Sequence, residues 1–101
     1  DAAGASERAV VMTVSEFGRR PAENGSGTDH GTAAPQFLIG ASVTGGRYGT
    51  PPSLTQLDDH GNLVATTDFR SLYATALQDW LGVEAEPLIG REFTPIPGVI
   101  A

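Results

Sequence analysis

The sequence predicts an α/β fold, a partial parallel-type sheet with one clear amphipathic helix, on three observations. Residues 9–14, a β-branched apolar run, have the continuous hydrophobicity of a strand buried on both faces, and residues 37–41 are a second apolar strand candidate. A stripe of apolar side chains recurs at helical spacing from Phe69 to Leu81. The segment between the two runs exceeds the roughly dozen residues that a parallel crossover requires.

Taken in order, residues 1–8 read as a loose lead-in. Ala9-Val10-Val11-Met12-Thr13-Val14 is the first strand. A charged, glycine-rich loop from Ser15 to Pro35 follows it, with no helical periodicity. Pro35 introduces the second strand, and glycine-rich sequence ends it. Residues 43–62 are rich in turn formers: Gly45-Gly46, Pro51-Pro52 and Asp59-His60-Gly61-Asn62. The helix then places Phe69, Leu72, Tyr73, Ala76, Leu77, Trp80 and Leu81 on one face. Thr67 or Asp68 can cap its start, and Gly82 can stop it. Residues 83–101 read as an extended, proline-bearing tail covering apolar surface.

A parallel sheet needs helices on both faces, and one helix covers only one. Residues 1–101 are therefore expected to be a single α/β segment of a larger domain, with 9–82 as core and 83–101 as tail. The remainder of a parent protein, or another chain, would cover the sheet. In isolation that sheet would expose an apolar face. The chain opens Asp1-Ala2-Ala3 without an initiator methionine, and the expectation is a processed or excised piece.

Composition narrows the function. The formal net charge is −6 and every basic residue is arginine, so no nucleic-acid or anionic-membrane partner is expected. Arginine's planar fork suits carboxylate and phosphate, so an anionic small molecule fits better. The absence of cysteine excludes disulfides, thiolate catalysis and cysteine-bound zinc. No apolar run reaches the roughly 20 residues of a membrane span.

Four segments carry candidate chemistry. Thr28-Asp29-His30-Gly31-Thr32 combines an Asp and a His that suit a divalent metal with glycines that let backbone approach an ion; a plain turn around Asp29 accounts for the same residues. Glu16-Phe17-Gly18-Arg19-Arg20 follows the first strand, where open α/β sheets bind ligands. Glu16 is placed there as ligand or base and Arg19 and Arg20 for an anion; a solvated arginine pair balanced by Glu16 is the other reading. Asp58-Asp59-His60-Gly61-Asn62 repeats the Asp-His-Gly triplet but reads as a tight turn. Arg47-Tyr48 could stack a sugar or nucleotide, but a tyrosine packed on its own turn is the preferred reading. Trp80 belongs to the helix stripe. Walker-type phosphate loops and GxSxG elbows are absent from the sequence.

Several stretches together carry a resemblance. They are Val10 through Arg19, Glu23-Asn24-Gly25, Gly27-Thr28-Asp29-His30-Gly31, Ala65-Thr66-Thr67-Asp68-Phe69-Arg70 and Trp80-Leu81-Gly82. The chain resembles the C-terminal part of the bacterial domain-of-unknown-function family 1501, over most of residues 8–82. Members of that family are longer, many look exported through a twin-arginine signal, and they are grouped with the alkaline phosphatase and sulfatase superfamily. The resemblance implies the C-terminal portion of an alkaline-phosphatase-like fold, and an exported or periplasmic location. In that superfamily a Thr-x-Asp-His-Gly motif after a core strand gives an Asp and a His to a metal, and a later His gives another ligand. Here Glu16 falls at the Asp position, Phe17 stands where the His would be, and His30 corresponds to the later His. The resemblance thus implies Glu16 and His30 as holders of a divalent metal (zinc, manganese or calcium), with Asp29 as ligand or orienting residue and Arg19 or Arg20 on an anionic group. It also implies that the remaining ligands and the nucleophile lie outside this chain. A metal-dependent phosphatase- or sulfatase-like hydrolase is one reading. A non-catalytic structural or partner-binding module with an altered metal site is the other.

Overall fold

The computed structural model describes residues 6–101. Its elements are a 3-10 turn (Ser6–Arg8), β1 (Val11–Met12), β2 (Gly18–Glu23), β3 (Thr28–Gly31), β4 (Leu38–Ile39), α1 (Phe69–Ala74) continuing as a π-helical segment (Thr75–Trp80), and α2 (Glu86–Ile89). β1 and β4 form one two-stranded sheet, and β2 and β3 another. Of the lead-in expected over residues 1–8, residues 1–5 lie outside the described residues. No helix among the described residues is long and apolar enough to cross a membrane.

The residues divide into two compact units, one made of Met12–Phe37 and Gly49–Thr66, the other of the segment ending at Val11 with Leu38–Tyr48 and Thr67–Ala101. In the first, the stretch read as a loop from its sequence folds as a β-hairpin. The turn chemistry explains it: Gly25-Ser26 forms the tip between Asn24 and Gly27, Gly25 takes φ 95° at the first central position, and the Asn24 N–H closes the turn on the Gly27 carbonyl at 2.9 Å. Below the hairpin, the Thr13 N–H donates to the Phe37 carbonyl at 3.0 Å, and the Phe37 N–H to Thr13 Oγ1 at 2.8 Å. Thr32 Oγ1 donates to the Leu63 carbonyl at 2.7 Å, which fastens the end of the hairpin to the later segment. The second Asp-His-Gly triplet is a turn, as its sequence suggests. Asp58 accepts the backbone N–H groups of His60 and Asn62, each at 2.9 Å, and Gly61 takes φ 78°. The backbone hydrogen bond from Asn62, foremost, holds the Asp58 carboxyl below its ordinary range.

The two strand candidates shorten to the two residues each of β1 and β4, and they are not buried on both faces. Val11 and Ile39 are exposed. Met12 and Leu38, the other residue of each strand, are half-buried, so each strand has one covered and one open side chain.

In the other unit the helix forms where its stripe predicts, with Asp68 as N-cap: its carboxylate accepts the Arg70 N–H at 2.9 Å and pairs with the Arg70 guanidinium at 2.7 Å. Gly82 stops it at φ 68°, with the Val83 N–H returning to the Leu77 carbonyl at 2.7 Å in a Schellman-type closure. The middle of the predicted stripe, Leu72, Tyr73, Ala76, Leu77 and Trp80, is half-buried, but its ends are not covered and the full burial lies beside it. Phe69 and Leu81, the ends of the stripe, are 58% and 60% exposed, whereas Ala74 and Thr75 are fully buried. Beyond Ala74 the bonding widens to π type, seen in the Leu81 N–H on the Ala76 carbonyl.

Thr75 ties this helix to the tail. Its hydroxyl donates to the Ser71 carbonyl at 2.8 Å and accepts the Ile96 N–H at 2.8 Å. The tail is thereby folded back rather than merely extended. The Thr44 N–H donates to the Val99 carbonyl at 2.7 Å, and Val43 bridges Ile100 in antiparallel fashion. Within the tail, Pro87 near the start and Gly90 at φ 96° frame the single turn α2, a helix signal missed in the sequence. Tyr48 packs on its own unit, its hydroxyl 2.7 Å from the Thr44 carbonyl and 3.2 Å from that of Gly98.

Two outcomes follow from these contacts. Thr75→Val preserves shape but strands the Ile96 N–H, so denaturant unfolding should show a loss of about 1–3 kcal/mol, while Thr75→Ser, which keeps the hydroxyl, recovers most of it. Asp68, held at about 2 chiefly by the side-chain hydrogen bond from Arg70 and then by the Arg70 N–H, lies below its unfolded value of 3.8. Its stabilising contribution is therefore complete above that value and is lost as pH falls toward about 2. Helical ellipticity followed through this window should decline, and the decline should flatten in Asp68→Asn, which still caps but does not titrate.

Candidate functional site: one face of the hairpin

The hairpin register places Gly18 opposite Gly31 and Arg19 opposite His30. Glycine at the first pair is a packing requirement. A Cβ on Gly31 would lie 2.8 Å from the Arg19 carbonyl carbon, and one on Gly18 would overlap the Ala33 backbone. Toward the tip the register slips, because Glu23 pairs with Thr28 and β2 carries more residues than β3 between these pairs. Pro21 lies within the slipped stretch, and having no N–H it cannot donate to a regular ladder.

Directly opposed residues in an antiparallel pair share a face. Arg19 and His30 are such a pair, and Phe17, two residues before Arg19, joins them. Its ring lies flat on the His30 imidazole, with centroids 3.5 Å apart and planes 12° apart, and the Arg19 guanidinium carbon sits 5.0 Å from its centroid. Arg19 Nη1 also donates to the Thr28 carbonyl at 2.6 Å, which fixes the side chain across the strands. Stacking covers a face of the imidazole and leaves its ring edge, where both nitrogens lie, to other partners. His30 is exposed.

The remaining candidates are placed differently. Asp29 neighbours His30 in β3, so strand alternation directs it to the opposite face. There it accepts the Asn24 side-chain amide at 2.8 Å. Glu16 is exposed just before β2. Arg20 is half-buried, and its Nε is enclosed without a hydrogen-bond partner among the described residues. Among the described residues no group of three or more His, Asp or Glu side chains gathers as a metal set would. Glu16, Asp29 and His30 are therefore not a complete coordination shell by themselves, and no catalytic step is derived through a metal.

The hairpin also brings in Phe17 and Asn24 as contact residues that sequence reading did not assign. The signal was present. Asn24-Gly25 marks a hairpin turn, and once residues 18–31 are a hairpin, the spacing of Phe17 and Arg19 puts both on the face of His30.

The geometry leaves a small hairpin-bearing chain that presents a cation and an imidazole on one strand face. Its family is shown by comparison: the family described as "Protein of unknown function (DUF1501)" matches residues 1–91, and the chain belongs to it. No curated protein and no solved structure matches the chain.

The glycine pair is testable. Gly31→Ala should cost about 1 kcal/mol or more and remove slow amide exchange from β2 and β3, because backbone has to move to admit the methyl group. Gly45→Ala is the control: no atom lies within 4 Å of its Cβ position, and exchange of the hairpin amides should be unchanged.

Proposed function

We propose that this chain is the C-terminal portion of an alkaline-phosphatase- or sulfatase-like ester hydrolase, and that its hairpin contributes strand-end residues to a metal- and anion-binding site completed by residues outside the chain. The single observation that carries this reading is the juxtaposition of His30 and Arg19 on one strand face, with Phe17 stacked beneath the imidazole. Phe17 and the register orient the ring, so its edge offers a lone pair in a fixed direction. Imidazole suits zinc better than calcium. Arg19 spends one N–H on Thr28 and keeps the others for a phosphate- or sulfate-like oxygen. Glu16 stands ready as a further ligand, and Arg20 as a further cation. Asp29, bonded to Asn24, serves as an orienting residue for the tip. Helices of the remainder of the protein would cover the exposed side chains of β1 and β4. A metal, when bound, would polarise the ester oxygen; this chain's own part is to orient an imidazole and to hold the anion.

A second reading, a non-catalytic module, is favoured by Phe17 itself. It occupies a position where the resemblance expects a ligand, and it closes His30 and Arg19 into a self-sufficient stack.

One experiment separates the two. The full chain is titrated with manganese and, separately, with inorganic phosphate while the His30 ring and Arg19 side-chain signals are followed by NMR. The hydrolase reading expects selective paramagnetic broadening at His30, its loss in His30→Ala and its weakening in Phe17→Ala, with phosphate shifts centred on Arg19. Broadening that is uniform, or that survives His30→Ala, overturns the site. A double-mutant cycle showing strong Phe17–His30 coupling with no metal dependence would then establish the structural module.

A further inference from the structure

The tip of the hairpin has a chemistry that neither reading of the face uses. Asn24 is followed by Gly25, the residue type that leaves a backbone nitrogen least shielded. Both residues are exposed. Asn24 is clasped by its side chain: Oδ1 accepts the Ser26 N–H at 3.1 Å and the Ser26 hydroxyl at 3.3 Å, and Nδ2 donates to Asp29 Oδ1 at 2.8 Å. The turn itself is closed by the Asn24 N–H on the Gly27 carbonyl, so the Gly25 N–H takes no part in that closure.

We propose that Asn24-Gly25 is a site of spontaneous succinimide modification, and that the modification unclasps the hairpin carrying Arg19 and His30. The Gly25 backbone nitrogen attacks Asn24 Cγ. A bond forms between them, the Gly25 amide proton passes to hydroxide, and the Cγ–Nδ2 bond breaks as Nδ2 leaves with a proton from water as ammonia. A water molecule then adds to either ring carbonyl and opens the succinimide to aspartate or isoaspartate. The net change is one water consumed and one ammonia released, with no redox step.

The consequence follows from the clasp. The product carries a carboxylate where Nδ2 was, so the donor to Asp29 is gone and two like charges face each other at hydrogen-bond range. The isoaspartate product also lengthens the backbone through the turn, which the Ser26 contacts and the Gly27 closure do not tolerate. Pro21 and the register slip leave little regular ladder near the tip to compensate. The chain holds its own control: the other asparagine, Asn62, is only 7% exposed, precedes Leu63, and has its backbone N–H fixed on Asp58.

The test ages the full chain at mildly alkaline pH and maps its peptides by mass spectrometry, with enzymatic methyl labelling of isoaspartate. The expected result is conversion at Asn24 with Asn62 intact, and no conversion at position 24 in Asn24→Gln, whose longer side chain closes the ring far less readily. Hydrogen exchange on Asn24→Asp, which installs the charge without ageing, should show loss of slow exchange at Glu23 and Thr28 while the Asp58 turn keeps its protection. If Asn24 stays unconverted, or reacts no faster than Asn62, the proposal fails at its chemistry. If Asn24→Asp retains hairpin protection, it fails at its consequence. Neither result depends on whether His30 binds a metal.

Discussion

The tight packing of Gly18 on the Ala33 backbone and of its register partner Gly31 on the Arg19 backbone is the constraint from which the hairpin and its face derive. Backbone can come this near only where neither residue carries a Cβ, and the positions a Cβ would take are filled by Arg19 and Ala33 backbone. That pairing sets the register. It puts Arg19 opposite His30, and the strand alternation then puts Phe17 against the imidazole and Asp29 on the other side. A slip of one residue would exchange the faces and separate the histidine from both its aromatic and its cationic neighbour. The chemistry of the face is thus specified by two residues that contribute no functional group.

In the other unit the ordering element is also small. Thr75 is the largest side chain that is fully buried, and it carries a hydroxyl rather than a purely apolar group. A core this spare gains little from area; Ala74, Ala85 and Val99 are its apolar members. The hydroxyl serves both the helix and the tail, and it sits where the α-helical bonding gives way to π-type bonding. Around it the surface is organised by cation–π contacts. The Arg70 guanidinium lies 4.4 Å from the Phe93 centroid and that of Arg91 lies 4.8 Å from the same ring. Such contacts at exposed positions contribute about 0.5–1 kcal/mol each, which suits fastening a tail rather than building a core.

What was legible in the sequence depended on which physical signal was local. The helix start and stop were readable because a cap and a left-handed glycine act within a few residues: Asp68 and Gly82 stand where the sequence puts them. The Asp58 turn was readable for the same reason. The full burial of Ala74 and Thr75 was not, since a small and a polar residue carry no hydrophobic signal and neither belongs to the apolar stripe. The hairpin was missed because its length, glycine content and charge resemble a loop, although Asn24-Gly25 carried the opposite message. The expectation that residues 9–14 and 37–41 form strands survives as β1 and β4, but their burial depends on neighbours that the sequence of these runs does not contain. Among the site residues, His30 with Arg19 was brought together by register, a long-range property, whereas Glu16 was grouped with His30 by the resemblance and Asp29 by adjacency along the chain.

Phe17 gathers these threads. From sequence it is a residue that could not serve as the ligand the resemblance expects at its position. In the hairpin it is the surface on which the histidine lies. The two descriptions are compatible, because an aromatic ring two residues from Arg19 can do what a second imidazole in that place could not. It can stack without competing for the same ion, and it accepts a guanidinium over its ring without the repulsion that a protonated imidazole would add. Replacing a ligand by an aromatic residue lowers the number of donors the chain can offer while raising the order of the donor that remains. An ion held by such a face would depend more heavily on groups supplied from elsewhere, and an anion held by Arg19 would depend on them less.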